Sequence, residues 1–273
     1  MKTINYRFNS LEDFLISSTS TVDGQLDDGW GALFRVKGRE IAATVLFSDI
    51  AGFSRRTLDL NPTETLIFVN NFFSWISAEA LRESKGIVDK YIGDELMIVF
   101  SKEFGSDDPF REAIQAARWM AEHDALSFSP HMGIASGRVI VGYVGTPLRY
   151  NCSVFGSAVA LAARCAGVRP DPIDDRMFSS TITFPACEWG ARDFTEMLPP
   201  EKYKHPDGSV RTQPHSWELR EPRVVNLKNL PDHEVRELVK RSVHLPQQSA
   251  EERAREALES LRQAGRYWPD RDA

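Results

Sequence analysis

The stretch KYIGDELMIVF, residues 90–100, places a Gly-Asp pair between two runs of strand-forming residues. Glycine and aspartate tolerate the backbone angles of a two-residue turn, so the stretch predicts a β-hairpin. A hairpin by itself gives no reason for a functional carboxylate at the turn. A catalytic interpretation of Asp94 therefore needs a second carboxylate close to it in the fold.

The segments before the hairpin show a strand pattern and then a helix pattern. Residues 41–49 (IAATVLFSD) are almost all apolar or small, which predicts a central strand. A helix is predicted after Asn61, because Pro62 suits the first helical position and Glu64 completes a capping box. The residues expected on its buried face are Leu66, Val69, Phe73 and Ile76.

The same alternation continues after the hairpin. Residues 107–124 predict a second helix, and residues 129–137 and 138–145 predict two strands before a helix that starts near Gly156. The order β-α-β-β-α-β predicts an α/β sandwich with helices on one face of the sheet. Its core is expected to be ferredoxin-like or palm-type, with an appended strand and helix.

Changes in composition divide the chain into three parts. Residues 1–40 are expected to form an N-terminal extension, residues 41–240 the main domain and residues 241–273 a helical tail. Within the main domain, residues 168–222 are rich in turn-forming residues. They predict an irregular excursion with one strand in residues 175–184.

Two later segments have regular patterns. PRVVNLKNL, residues 222–230, predicts the last core strand. Ser249 and Glu252 form a capping box at the start of a helix that is expected to cover its own domain. The residues expected on its buried face are Ala254, Leu258 and Leu261.

The composition is that of a globular protein, with 42% hydrophobic and 26% charged residues in a chain of 273. The net charge of −6 argues against nucleic acid or an anionic membrane as a partner. No apolar run approaches the roughly 20 residues that span a bilayer, and the N-terminus lacks a secretory signal. Cys152, Cys165 and Cys187 cannot all pair and show no metal-ligand spacing, so a cytoplasmic location is expected.

The second carboxylate that the hairpin requires is found at the end of the predicted central strand. That strand ends at Asp49 and is expected to lie beside the turn at Asp94. Two carboxylates at adjacent strand edges can hold divalent cations that bridge phosphate oxygens, although a strand-terminal Asp is as often a cap. Gly52 lets main-chain N–H groups approach a phosphate. Arg55 and Arg56 stay open between a phosphate contact and a solvated face.

Four segments, in their order and spacing, resemble the core motifs of class III nucleotidyl cyclases. They are VLFSDIAGFS (45–54), GIVDKYIGDELMIVF (86–100), HMGIASGRVIVGYVG (131–145) and SVFGSAVALAARCAG (153–167). The resemblance covers residues 41–167 and resumes in VVNLKNL (224–230).

This resemblance implies a two-metal mechanism. Asp49 and Asp94 would bind two magnesium or manganese ions, with the Ile50 carbonyl as a further ligand. The ribose 3′-oxygen would attack the α-phosphorus in line and expel pyrophosphate. Arg164 would stabilise the charge that grows on the transferring phosphate.

The resemblance also assigns the substrate contacts. Lys90 and Ser153 would contact the base, and Lys228 would reach the terminal phosphates. The remaining residues of the expected substrate-binding set are Gly52, Phe53 and Tyr91. Without the motifs, Lys90, Arg164 and Lys228 would be an exposed strand lysine, a helix-end charge and a solvated edge residue.

In this family, the metal-binding carboxylates and the base-contacting residues of one site come from different chains. This chain carries both sets, so the resemblance implies a homodimer with two composite sites and an inactive monomer. The expected ligands of each site are one nucleoside triphosphate and two divalent cations.

Three positions depart from the common pattern of the family. Many members carry Asp where Ser157 stands and Asn where Ala160 stands, and adenylate cyclases usually have Asp or Thr where Ser153 lies. Ala160 and Ser157 support a rival interpretation, a catalytically silent nucleotide-binding domain that regulates a partner. Asp49, Asp94 and Arg164 argue against that rival.

The expected base follows from hydrogen-bond chemistry. A lysine donor beside a hydroxyl matches uracil, which presents a carbonyl acceptor and an N–H donor, whereas the amine of cytosine favours a stronger acceptor. Tyr91 or Phe155 could fill the space of a purine. We therefore expect UTP as substrate and cyclic UMP as product, with CTP and ATP as alternatives. The layout is similar to the stand-alone pyrimidine cyclases of Pycsar anti-phage systems, whose product activates a separate effector.

Overall fold

The computed structural model describes residues 6–18, 38–82, 84–124, 128–146, 149–169, 180–200, 202–204, 207–212, 216–240 and 250–264. Its strands are β1 (Gly38–Asp49), β2 (Ile87–Ile92), β3 (Glu95–Phe100), β4 (His131–Thr146), β5 (Arg149–Phe155), β6 (Thr181–Pro185), β7 (Lys202–Lys204), β8 (Val210–Thr212), β9 (Trp217–Leu219), β10 (Arg223–Val225) and β11 (His233–Lys240). Its α-helices are α1 (Leu11–Ser17), α2 (Phe53–Arg56), α3 (Pro62–Ala80), α4 (Pro109–Glu122), α5 (Ser157–Ala166), α6 (Ala186–Trp189), α7 (Phe194–Met197) and α8 (Ala250–Gln263).

One large sheet organises the described residues. Its strand order is β10-β11-β6-β4-β1-β3-β2, with β5 paired to β4 and β9 paired to β11, while β7 and β8 pair separately. The β2–β3 hairpin turns through Gly93, which has φ 62, and Asp94, as the opening stretch of sequence predicts. The predicted α/β sandwich with its central first strand is confirmed.

Helices cover both faces of this sheet. One face packs against α3, α4 and α8 around a cluster that contains Phe72, Phe100 and Leu258. The other face packs against α1 and α5 around Phe14, Val45 and Ala162. The expectation of helices on a single face is therefore wrong. The N-terminal helix α1 is part of the second core, because Phe14 is 1% exposed.

The helix after Asn61 has the predicted start but a different buried face. Asn61 and Glu64 form the reciprocal capping box. The fully buried residues are Phe68, Phe72, Ile76 and Ala80, one row with a spacing of four. Leu66 is 69% exposed, so its predicted burial is wrong. The helix is apolar around much of its circumference, so periodicity alone does not select one face.

The strand predictions after residue 128 need three corrections. The two strands predicted over 129–145 form one continuous strand, β4, because β1 pairs with it from Gly38 opposite Gly142 to Asp49 opposite His131. Strand β5 was not predicted at all. Residues 222–230 contribute only the short β10, and the last core strand is β11, which pairs with β6, β9 and β10.

The C-terminal helix agrees with the prediction where the structure describes it. In α8, Ala254, Leu258 and Leu261 are buried, as expected. Ser249, the predicted cap, lies outside the described residues, as does the first half of the strand predicted at 175–184; β6 includes the last four residues of that prediction. In the described part of the chain, no helix is long and apolar enough to cross a membrane.

Gly133 allows α5 to lie directly on β4. A Cβ atom at this position would be 2.1 Å from both the Ala162 carbonyl oxygen and the Ala166 main-chain nitrogen, neither of which can move without bending the helix. We expect Gly133→Ala to lower the free energy of unfolding by about 3 kcal/mol, at the upper end of typical overpacking. Urea denaturation measures this change.

Gly137→Ala is the matched control on the same strand. Its Cβ would meet only the Ala158 side chain, at 3.2 Å, so a clearly smaller loss is expected. Equal stability of the two variants would contradict this close packing of α5.

Candidate active site

Two acidic residues meet where β1 ends. Asp49 is the last residue of β1, and the pairing of Ser48 with Leu96 brings the Asp94 turn beside it. Burial raises the pKa of Asp49 to about 6, Arg169 opposes the rise, and Asp94 and Glu95 add to it. Burial also raises the pKa of Asp94. The fold therefore brings together the carboxylates that the sequence singled out, and their negative charges are poorly compensated.

The chemistry of these carboxylates suits a divalent cation. Within the described residues, Oδ1 of Asp49 is buried and has no hydrogen-bond partner. An unsatisfied buried carboxylate oxygen is costly, and a cation would compensate its charge. Among the residues that the structure describes, no group of three or more His, Cys, Asp or Glu side chains could hold a metal ion. A cation at Asp49 and Asp94 would thus need main-chain or substrate oxygens as further ligands.

The loop after β1 provides one such oxygen. The Ile50 carbonyl accepts a hydrogen bond from the Phe53 N–H at 3.2 Å, and a carbonyl oxygen has a second lone pair for a cation. Gly52 adopts the left-handed region with φ 67 and precedes α2. Arg55 is exposed, whereas Arg56 is only 1% exposed, so a solvated face is the wrong interpretation of Arg56.

A cationic cleft of about 550 Å³ lies between the C-terminal end of α5 and residues 223–228. Its lining includes Arg164 from α5 and Lys228 from the turn after β10, the two residues expected to act on the phosphates, together with Arg169 and Arg223. Arg223 is committed to the buried Glu237, with Nε 2.9 Å from Oε2. Arg164, Arg169 and Lys228 are all exposed and present positive charge to the cleft.

Arg169 is a residue that the sequence interpretation missed. Its Nη2 donates a hydrogen bond to Oδ2 of Asp49 at 3.3 Å, so it connects the carboxylates to the cleft. Arg169 is the second residue beyond the last cyclase-like motif, which ends at Gly167, and no spacing rule indicates where its side chain points. Only the position of the α5 C-terminus next to β1 reveals its role.

Lys90 and Ser153 form a second cluster, as expected. The Lys90 ammonium donates a hydrogen bond to the Ser153 hydroxyl, which in turn donates to Oδ2 of Asp89 at 2.8 Å. The Asp89 side chain is 0% exposed, and its Oδ2 lies 3.2 Å from Lys90 Nζ. The sequence did not indicate a role for Asp89. Because the Ser153 hydroxyl donates its hydrogen to Asp89, the Ser153 oxygen can only accept a hydrogen bond from a further partner.

An irregularity in β2 explains which side chains face this cluster. The pairing register shifts between Val88 and Lys90, so Lys90 lies opposite Met97 and Tyr91 opposite Leu96. Tyr91 consequently packs on α3, with its ring 4.4 Å from that of Phe73. Phe155 lies beside Lys90, whose Nζ is 5.9 Å from the ring centroid. Of the two aromatic residues expected near the base, the fold places Phe155 with Lys90 and Tyr91 elsewhere.

The two unusual residues of α5 are exposed. Ser157 is the first residue of the helix, and Ala160 lies one turn before Arg164. Neither side chain can replace the carboxylate or the amide that the resemblance expects at these positions.

Comparison with known families agrees with this geometry. Residues 37–169 match the family described as "Adenylate and Guanylate cyclase catalytic domain". The chain is 31% identical over 136 residues to an adenylate cyclase of Anabaena cylindrica, covering 46% of this chain and 27% of that protein. It is 28% identical over 208 residues to an uncharacterized protein of Mycobacterium tuberculosis, covering 68% of this chain and 36% of that protein. The chain thus spans only about a quarter to a third of the length of these two relatives.

Solved structures share the fold. The adenylyl cyclase CyaB from P. aeruginosa aligns with a TM-score of 0.57 at 18% identity, covering 77% of this chain and 100% of that one. A guanylate cyclase domain from Catenaria anguillulae, solved in complex with GTP, aligns with a TM-score of 0.53 at 16% identity, covering 75% and 100%. At these identities the likeness establishes the architecture alone.

Proposed function

We propose that residues 37–169, which match the adenylate and guanylate cyclase catalytic domain, form a domain of this family, and that the chain converts a nucleoside triphosphate into its 3′,5′-cyclic monophosphate and pyrophosphate. The observation that carries the proposal is that one chain provides both the Asp49–Asp94 pair and a cationic cleft with Arg164 and Lys228. A phosphoryl-transfer site needs both parts, because carboxylates hold the cations and fixed positive side chains bind the phosphates.

In the proposed reaction each charged residue has a distinct task. Asp49, Asp94 and the Ile50 carbonyl would hold two divalent cations, which supply positive charge to the attacking 3′-oxygen and the leaving pyrophosphate. Arg164 would stabilise the charge that grows on the α-phosphate, a role suited to its fork of donors. Lys228, in the same cleft, would bind the terminal phosphates. Gly52 and Phe53 would keep the loop main chain close to the triphosphate.

For the base, we propose uracil, so that UTP is the substrate and cyclic UMP the product. Lys90 can donate to the uracil carbonyl, and the Ser153 oxygen can accept from its N–H because the Ser153 proton is committed to Asp89. Phe155 beside Lys90 adds bulk that favours a small base over a purine. Asp89 also makes Ser153 a stronger acceptor, which suits the exocyclic amines of cytosine and adenine. CTP and ATP are therefore tested as alternative substrates.

We further propose that two copies of the chain assemble into a homodimer, with each site using carboxylates of one chain and Lys90, Ser153 and Arg164 of the other. The likeness to stand-alone pyrimidine cyclases of anti-phage systems supports a role for the product as a messenger to a separate effector. Such a role needs no nucleic acid or membrane partner, in line with the net charge of −6.

Product analysis tests the base and the reaction together. Purified chain is incubated with ATP, GTP, CTP or UTP separately, with Mn2+, and the products are identified by mass spectrometry. We expect a 3′,5′-cyclic product from UTP in preference to the others. Product from ATP alone would contradict the pyrimidine assignment and leave the cyclase reaction intact. No cyclic product from any nucleotide would favour the silent regulatory domain that Ala160 suggests.

A further inference from the structure

Arg169 lies at the boundary between the carboxylates and the cleft. Its Nη2 is 3.3 Å from Oδ2 of Asp49, and its side chain is 53% exposed while that of Asp49 is 13% exposed. Its Nη1 donates to the Ala166 carbonyl at 3.1 Å. The guanidinium therefore covers Asp49 from the solvent side, the direction from which a ligand in the cleft would arrive.

The main chain at Arg169 is held independently of its side chain. Arg223 Nη2 donates to the Arg169 carbonyl at 3.0 Å, while the Nε of the same arginine binds the buried Glu237. Arg169 can therefore change the partner of its guanidinium by rotating about its side-chain bonds, without moving the end of α5. Arg169 itself lines the cationic cleft, and phosphates held by a cation at Asp49 would lie next to its guanidinium.

A divalent cation at Oδ1 of Asp49 and the Arg169 guanidinium at Oδ2 repel each other, because both positive charges then lie at one carboxylate group. A guanidinium released from a carboxylate retains a planar fork of donors that fits two phosphate oxygens. The Arg169 guanidinium can therefore bind either the Asp49 carboxylate or a phosphate of the nucleotide.

We propose that Arg169 exchanges partners during the catalytic cycle: it neutralises Asp49 before the cation binds and then binds the phosphates of the nucleotide. The inference rests on the proposed role of Asp49 as a metal ligand. It adds a phosphate-binding residue beyond the cyclase motifs, and it implies that cation and nucleotide favour each other's binding.

Binding measurements on Arg169→Gln test this exchange. Without the competing guanidinium, Mn2+ should bind about threefold more tightly, which is the size expected for loss of an exposed ion pair. Inorganic tripolyphosphate, added with Mn2+, should bind about tenfold more weakly, because one charge-assisted contact is lost. Isothermal titration calorimetry measures both affinities on the full chain, and the opposite signs of the two changes distinguish an exchange from general damage.

Two further variants complete the test. Arg39→Gln is the matched control, because Arg39 pairs with Glu103 at 2.8 Å near the other end of β1, and it should change neither affinity. Arg169→Lys retains the charge but not the fork, so it should keep the wild-type affinity for Mn2+ and lose part of the affinity for tripolyphosphate.

If Arg169→Gln binds Mn2+ no more tightly than wild type, or tripolyphosphate as tightly, Arg169 is a static surface ion pair and the proposal is overturned. Because these binding measurements do not depend on turnover, the exchange of Arg169 and the cyclase reaction are tested independently. Opposite shifts in a chain that forms no cyclic nucleotide would support the exchange and overturn the activity. Cyclic product without those shifts would do the reverse.

Discussion

Asp49→Asn is expected to lower the rate of cyclic nucleotide formation by about a thousandfold or more, while the protein remains folded. Asp49 ends β1 beside the Asp94 turn and bonds to Arg169 of the cleft, and an amide is a much poorer cation ligand than a carboxylate. The fold should not suffer, because burial already disfavours the Asp49 charge and raises its pKa to about 6. Substitution by a neutral isostere removes that unfavourable charge.

The measurement pairs initial rates with thermal unfolding. We expect the melting temperature of Asp49→Asn to be equal to or above that of wild type, since the Arg169 side chain of the lost ion pair is 53% exposed and solvent weakens the pair. Asp59→Asn is the matched control, because Asp59 pairs with Arg255 at 3.1 Å in another exposed Asp–Arg pair. Full activity in Asp49→Asn would rule out the metal assignment, and unfolding of this variant would show a structural role instead.

Arg164→Ala is expected to lower kcat by about a hundredfold and to change KM little, as for the loss of one group that stabilises transition-state charge. Arg164 is exposed in the cleft, and nothing in the core depends on its side chain. Arg262→Ala is the control for a helix-end arginine, because Arg262 pairs with Glu259 in the last turn of α8. A large rise in KM with unchanged kcat would mean that Arg164 only binds the ground state.

Co-expression of the two inactive variants tests the composite site. In an equimolar mixture of Asp49→Asn and Arg164→Ala chains, half of the dimers are mixed, and each mixed dimer has one intact site. About a quarter of wild-type activity should therefore return. If Asp49 and Arg164 serve the same chain's site instead, as their common location beside the cleft also allows, the mixture will be no more active than its components.

The structure confirms the predictions that depend on a few adjacent residues with known backbone preferences. The Gly-Asp turn, the Asn61–Glu64 capping box and the central strand ending at Asp49 all depend on a few adjacent residues. Because the hairpin is predicted to lie beside that strand, the sequence alone predicts that Asp49 and Asp94 lie close together. The same holds for Lys90 and Ser153, which were paired through the ordered motifs of the family.

Features that depend on contacts between residues distant in sequence could not be predicted from the sequence. Pairing with the full length of β1 makes β4 one strand, although its sequence reads as two. The register shift at Asp89 puts Val88 and Lys90 opposite the successive residues Ile98 and Met97, so these two side chains point to different faces although simple alternation predicts the same face. Arg169 reaches Asp49 only because Gly133 lets α5 lie on the sheet. In each case a contact distant in sequence decides where the side chain points.

Phosphorus NMR of the complete reaction tests the cyclase proposal most directly. With wild-type chain, Mn2+ and UTP, we expect one pyrophosphate to be released for every 3′,5′-cyclic phosphodiester formed, and neither to form with Asp49→Asn. Release of orthophosphate with a nucleoside diphosphate, or absence of a cyclic phosphodiester from UTP and from each of the other three nucleotides, would contradict it.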